Sequence, residues 1–313
     1  MYILLERTGM KRRQIRNSGL LALTALIWGV AFVAQSAGME YVGPFTFNGV
    51  RSLLGAVTLL PLIFLRKGAK GVEKDRKKDK ERTQERRELM TGGILCGMVL
   101  CAASSLQQIG IMHTTVGKAG FITALYIVIV PVLGIFMKKR TGFLLWLGVG
   151  LAAAGLYFLC MTENFTVNPG DLYVLLGALL FSAHILLIDC FSPRCDGIKL
   201  SCLQFFVCGI LALIPALLWE KPEPAAVLSA WVPILYAGVL SCGAGYTLQV
   251  VGQKGLDPVR ASLILSMESL FSVLAGWILL GQSLTLREIT GCVLMAAAIV
   301  LAQISPAVHE NLT

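Results

Sequence analysis

One carboxylate, Glu268, lies inside the otherwise apolar stretch "ASLILSMESLFSVLAGWILL" at 261–280. A charge at the centre of a membrane-spanning helix costs about 2.5–3.5 kcal/mol on insertion scales, so such a residue should face a bundle interior, paired or protonated. It can carry a proton or hold a polar solute there, or serve only as an interhelical hydrogen-bonding strut. Other polar residues recur in register. "SLQQIGIMHTTVGKAGFI" at 105–122 returns as "TLQVVGQKGLDPVRASLI" at 247–264, an offset of 142. Gln107 matches Gln249, Lys118 matches Arg260, and Tyr126 matches Glu268. Gln107 and Gln249, with Ser104 and Tyr246 one helical turn before them, form polar faces suited to lining a cavity or to binding helices together. Lys118 and Arg260 can draw an anionic group, or pair with a carboxylate, at the mouths of a pathway; the competing reading is a long side chain snorkelling to the interface. Trp28 sits on a stripe with Thr24, Ala31 and Gln35, where its ring can stack on a flat or amphipathic solute. His184 is a histidine within an apolar run and can titrate near neutral pH. Arg51 is a candidate counter-ion for Glu268.

The elements that must position these groups are apolar and long. The chain has 313 residues, 56% hydrophobic and 14% charged, with a mean hydropathy of +0.75. Soluble domains carry roughly 25% charged residues. Runs of about 20 apolar residues recur, each able to cross a hydrocarbon core of ~30 Å. Ten spans are expected, at 17–37, 44–65, 89–111, 116–137, 142–161, 170–190, 198–219, 228–251, 257–280 and 284–305. The alternating ~10-residue segments of a transmembrane barrel are missing. This is the pattern of an all-α polytopic membrane protein. The basic start followed by an apolar core imitates a signal peptide, but the apolar part is long and is needed as the first span, so no cleavage is expected. Met10, before Lys11-Arg12-Arg13, is a second candidate start. Of nine cysteines none lies in an expected outer loop, and no disulfide is expected.

The net charge of +9 is one-sided. With ten spans, 22 of the 27 Lys and Arg fall on one face, 11 of them in loop 66–88. Positive charge resists translocation, so that face and both termini are expected to be cytoplasmic. The distribution argues against nucleic acid as a partner; the mixed-sign loop 66–88 reads as a solvated linker that also meets anionic lipid headgroups.

A second echo, "GAVTLLP" at 55–61 with "GILALIP" at 209–215, has an offset of 154. The difference between 154 and 142 arises because the basic linker lies only in the first half. The expected organisation is a cytoplasmic N-terminus at 1–16, five-helix repeats at 17–161 and 170–305, and a cytoplasmic tail at 306–313. Five spans per repeat is an odd number, so the halves must insert upside down relative to one another. Inverted repeats place a substrate site near mid-membrane, with access alternating as one half rocks against the other.

The stretch 261–285 resembles the S-L-x-x-x-x-E-P-V-x-x-x-x-x-W-x-x-L-G-E-x-L-T pattern of EamA-type transporters in the drug/metabolite transporter superfamily. "LIWGVAF" at 26–32, Arg51 in "GVRSLLGA" and "AGFITALYIVIVPVLG" at 119–134 are similar to the family in the first half. Ser269 stands where the family often has Pro, Gln282 replaces the Glu of L-G-E, and Lys138-Lys139-Arg140 occupies the matching place in the first half. The resemblance implies ten helices, cytoplasmic termini, and export or exchange of small solutes across the plasma membrane.

Enzyme signatures such as H-E-x-x-H, the P-loop and G-x-S-x-G are not found, nor are clustered metal ligands or a cofactor motif. The expected function is secondary transport, in the export direction, of a small metabolite or amphipathic compound, with proton coupling through Glu268. The alternatives are an uptake system or uncoupled facilitator on the same fold, and a membrane scaffold or sensor. Substrate identity and oligomeric state stay open at this stage.

Overall fold

The computed structural model describes residues 2–69, 79–114, 116–136, 142–160, 169–280 and 285–304, and every regular element in them is a helix. In chain order these are α1 (Tyr2–Gly38), α2 (Pro44–Ala69), α3 (Asp79–Ile111), α4 (Val116–Ala124), α5 (Tyr126–Phe136), α6 (Phe143–Cys160), α7 (Pro169–Phe191) and α8 (Gly197–Pro215). They continue as α9 (Pro224–Ser229), α10 (Trp231–Leu235), α11 (Thr247–Gln253), α12 (Pro258–Leu265), α13 (Met267–Leu280) and α14 (Leu286–Ile304). Two wider π-wound segments, Ala216–Glu220 and Tyr236–Tyr246, extend α8 and join α10 to α11. Among the described residues seven helical stretches are long and apolar enough to cross a membrane, and Phe143–Phe158 is a shorter apolar one.

Local sequence explains several boundaries. Asp196 caps α8 by accepting from the Ile198 and Lys199 amides at 2.9 and 3.2 Å. Asp257 caps α12 by accepting from Val259 and Arg260 at 2.9 and 3.1 Å, with Pro258 at a first-turn position where no amide donor is required. Glu220 reaches the start of α2, accepting from the Phe45 and Thr46 amides at 2.9 and 2.7 Å.

Three expected elements are corrected. The spans 116–137 and 257–280 are each broken, at Leu125 and Ser266, so each comprises two half-helices. The Ser262 and Ser266 hydroxyls donate to the carbonyls three residues back, which competes with regular helix bonding at the second break. Residues 66–69 and 79–88 of the expected loop are helical, at the end of α2 and the start of α3. Alternating Glu, Arg and Lys there are good helix formers, and Gln84 donates to Glu88 one turn on, at 2.8 Å.

The packing repeats itself when the halves are exchanged. α3 packs on α7, as the Trp231–Gln253 rod packs on α1. α3 also meets α8, as that rod meets α2; α1 lies against α12 and α13, as α7 lies against α4 and α5. Two pairs map onto themselves, α2 with α8 and α6 with α14. That pattern is a pseudo-two-fold axis through the bundle. The broken rods α4–α5 and α12–α13 contribute to the largest buried apolar cluster, near the axis.

Candidate functional site

The two breaks fall within one residue of being repeat mates, and each is followed at once by a candidate site residue. Tyr126 opens α5, and Glu268 is the second residue of α13. The Tyr126 hydroxyl donates to Glu268 Oε1 at 3.0 Å across 142 residues, the repeat offset itself. Symmetry mates that touch must lie beside the pseudo-two-fold axis. Both are 3% exposed. Glu268 also occupies the first turn of α13, where the helix dipole favours negative charge. α1 crosses directly over this point: a Cβ on Gly29 would lie 2.6 Å from the Glu268 carbonyl oxygen, so only glycine permits the approach.

Gln107 and Gln249 both face the same central space, but their bonding differs. Gln107 Nε2 donates to Thr123 Oγ1 at 2.9 Å. Thr123 corresponds to Leu265 in the second half, so Gln249 Nε2 has no matching hydroxyl to donate to; its Oε1 is, in addition, buried without a partner.

An aromatic wall closes one side. Trp28 packs on Tyr246 with ring centroids 4.5 Å apart, and Phe205 and His184 meet Tyr246 edge-on at 5.3 and 6.0 Å. The π-wound segment positions Trp28, because its indole N–H donates to the Ser241 carbonyl at 3.4 Å. Thr24 and Tyr236 tie the same two elements together through the Gly245 and Ile27 carbonyls. His184 Nε2 bonds Gln204 Oε1 on α8 at 3.0 Å, so the ring is both cavity wall and strut.

Arg51 enters from α2. Its Nε donates to Asn48 Oδ1 at 3.2 Å and its Nη1 to Gln35 Oε1 at 2.9 Å, with the guanidinium 5.4 Å from the Phe47 ring centre. It forms no ion pair with Glu268, although both line the same cavity.

These side chains surround a small, partly enclosed cavity of mixed polar and apolar lining, the kind of site in which a few placed polar groups orient a small molecule. Trp28, Arg51, Gln107, Tyr126, His184, Tyr246, Gln249 and Glu268 all line it. Arg260 does not; it is buried in the first turn of α12, its amide held by the Asp257 cap. The Lys118 side chain lies outside the described residues, as do Lys138, Lys139, Arg140 and Gln282. Sequence reasoning missed Phe32, Thr123, Phe181, Ile185 and Ser241 as lining residues. An offset of 153 pairs Trp28, Ala31 and Phe32 with Phe181, His184 and Ile185, a register that would have revealed two of them. Ser241 had no such signal, because it reaches the cavity through the π winding. Among the described residues, no group of three His, Cys, Asp or Glu side chains gathers to hold a metal.

A two-fold helical bundle with broken helices flanking a buried, amphipathic cavity defines a membrane transporter of small molecules. The profile of the EamA-like transporter family matches twice, over residues 18–161 and 168–303, and the chain belongs to that family, within the drug/metabolite transporter superfamily. An uncharacterized transporter of Archaeoglobus fulgidus is 27% identical over 91% of this chain and 84% of its own. The uncharacterized transporter YoaV of Bacillus subtilis is 21% identical, covering 90% and 94%. The uncharacterized inner membrane transporter YedA of Escherichia coli is 21% identical, covering 90% and 89%. One protein crystal structure shares the fold with a TM-score of 0.72 at 17% identity, over 91% of this chain and 96% of that one.

Proposed function

We propose that this chain exports a small metabolite or amphipathic compound across the plasma membrane by alternating access, in exchange for protons. In this reading the helices make ten crossings with both termini cytoplasmic, in two inverted repeats. The observation that carries the reading is the hydrogen bond between the repeat mates Tyr126 and Glu268 on the cavity wall. A group beside the pseudo-two-fold axis is reached from either side as the halves rock, so one carboxyl can take a proton from outside and release it inside. A solute donor competing with that proton for Glu268 makes the two movements opposite. Trp28 and Tyr246 hold the solute's apolar face, and Gln107, Gln249 and Arg51 its polar groups.

A second reading, uptake of solute together with protons, is favoured by Arg51, whose charge faces no carboxylate among the described residues. An anion bound there is better tolerated when Glu268 is neutral.

The test begins with untargeted metabolomics of overexpressing cells against empty vector, which names the solute. Flux in proteoliposomes is then measured with and without an imposed pH gradient. A gradient acid on the far side should drive solute toward that side under exchange, and away from it under co-transport. Glu268→Gln keeps shape and hydrogen bonding while fixing the neutral state. It should abolish gradient-driven flux yet retain exchange of labelled solute at equal concentrations. Wild-type flux indifferent to the gradient would leave a facilitator. A coupled Glu268→Gln would place the proton site elsewhere, and a protein that moves nothing would be a scaffold or sensor.

A further inference from the structure

Proton movement at Glu268 does not account for two polar groups of the cavity. Arg51 is 5% exposed and held by neutral oxygens alone, Asn48 Oδ1 and Gln35 Oε1, among the described residues. A buried cation in apolar surroundings is strongly unfavourable unless an opposite charge offsets it. Here the guanidinium is fixed over the Phe47 ring at the cavity edge, pre-organised to meet an anion with planar geometry.

The other group is Gln249 Oε1, a buried acceptor with no donor in a residue 1% exposed. Gln249 also lacks the anchor of its repeat mate: Gln107 Nε2 donates to Thr123 Oγ1, whereas the matching position beside Gln249 is Leu265. A buried acceptor left unmade is costly, so an incoming N–H or O–H gains by filling it. The Trp28 and Tyr246 rings belong to the same wall, 4.5 Å apart and tilted by 53°.

We infer that Arg51 and Gln249 form a subsite that selects a small, flat organic acid, bound as its monoanion and carrying an N–H or O–H donor. Arg51 takes the anionic group, Gln249 Oε1 accepts from the donor, and the ring lies against Trp28 and Tyr246. The inference rests on the reading of this cavity as the solute site, but not on the direction or coupling of transport.

The experiment is equilibrium binding by calorimetry to the full chain in nanodiscs, which requires no flux. Three acid and amide pairs of equal shape serve as probes: benzoate with benzamide, indole-3-carboxylate with indole-3-carboxamide, and benzofuran-3-carboxylate with its amide. Wild type should bind the acids at least about ten-fold more tightly than the amides, a difference of ~1.4 kcal/mol. Arg51→Gln should remove that ratio, and Arg51→Lys should keep it in weakened form. Gln249→Leu, which restores the residue type of the matching Leu265, should erase the preference for indole over benzofuran. Equal affinity for acids and amides in wild type, or binding of neither at millimolar concentration, overturns the subsite without any variant being needed. A ratio that survives in Arg51→Gln overturns the role of Arg51. Acid-selective binding with no flux would leave the subsite standing and remove the transport reading; flux without acid preference would do the reverse.

Discussion

Gln107 and Gln249 are equivalent by position and unequal by partner. One is anchored to Thr123; the other lines the cavity with its Oε1 buried and unpartnered. Interhelical hydrogen bonds in membranes average only ~0.6 kcal/mol, so neither amide should matter much to folding. Gln107→Ala and Gln249→Ala are therefore expected to leave folded protein near the wild-type amount by fluorescence-detected gel filtration. Transport should fall roughly two- to ten-fold in each, the worth of one hydrogen bond of ~0.5–1.5 kcal/mol to solute or cavity. Disappearance of both variants from the membrane would instead assign the pair to bundle stability. His184 shows the same duality at the residue scale, since its bond to Gln204 makes it a strut whether or not a solute touches its ring.

At the scale of elements, the cavity owes its shape to departures from regular helix. The breaks at Leu125 and Ser266 let α5 and α13 start in mid-bundle, and the π winding from Tyr236 to Tyr246 leaves carbonyls available to Trp28 and Thr24. α1 must then lie close to α13. A methyl at Gly29 would press on backbone and on the Phe271 Cβ at 2.9 Å, whereas one at Gly19 meets nothing within 4 Å. Gly29→Ala is expected to lower stability by about 1–3 kcal/mol, the usual cost of overpacking, and to impair transport. Gly19→Ala on the same helix should raise stability by roughly 0.4–1 kcal/mol through the unfolded chain. Thermal unfolding in detergent reads both signs; a neutral Gly29→Ala would show that α1 and α13 can separate freely.

For the whole molecule, the pseudo-two-fold axis and the one-sided Lys and Arg distribution make a joint prediction. An impermeant thiol reagent should reach Cys introduced at Arg86, near the start of α3, only after cells are permeabilised. Cys introduced at Glu223, the exposed residue before α9, should be labelled in intact cells. These two exposed positions flank different membrane-spanning stretches, and the positive-inside argument puts them on opposite faces. Labelling of both from outside would sink the inverted arrangement, and with it the argument that Glu268 is reached from each side in turn.

Fold class was legible before any coordinates, because bilayer thickness alone converts apolar runs into helices and every polar backbone group must be satisfied within them. The repeat was legible too, since Gln107 with Gln249 and Tyr126 with Glu268 keep one offset through two halves. Eight of the ten candidate site residues reach one cavity for that reason: polar side chains in an apolar helix must turn inward. Periodicity is blind to where a helix breaks or widens, because Leu125, Ser266 and the π-wound Tyr236–Tyr246 stretch satisfy the same hydropathy pattern as an unbroken span. It is equally blind to contact between distant mates. Whether Tyr126 meets Glu268, whether Arg51 finds a carboxylate, and which of two matched glutamines goes unpartnered depend on how α2, α5, α11 and α13 converge. Only packing across the pseudo-two-fold axis decides that, through side-chain geometries that no local pattern encodes.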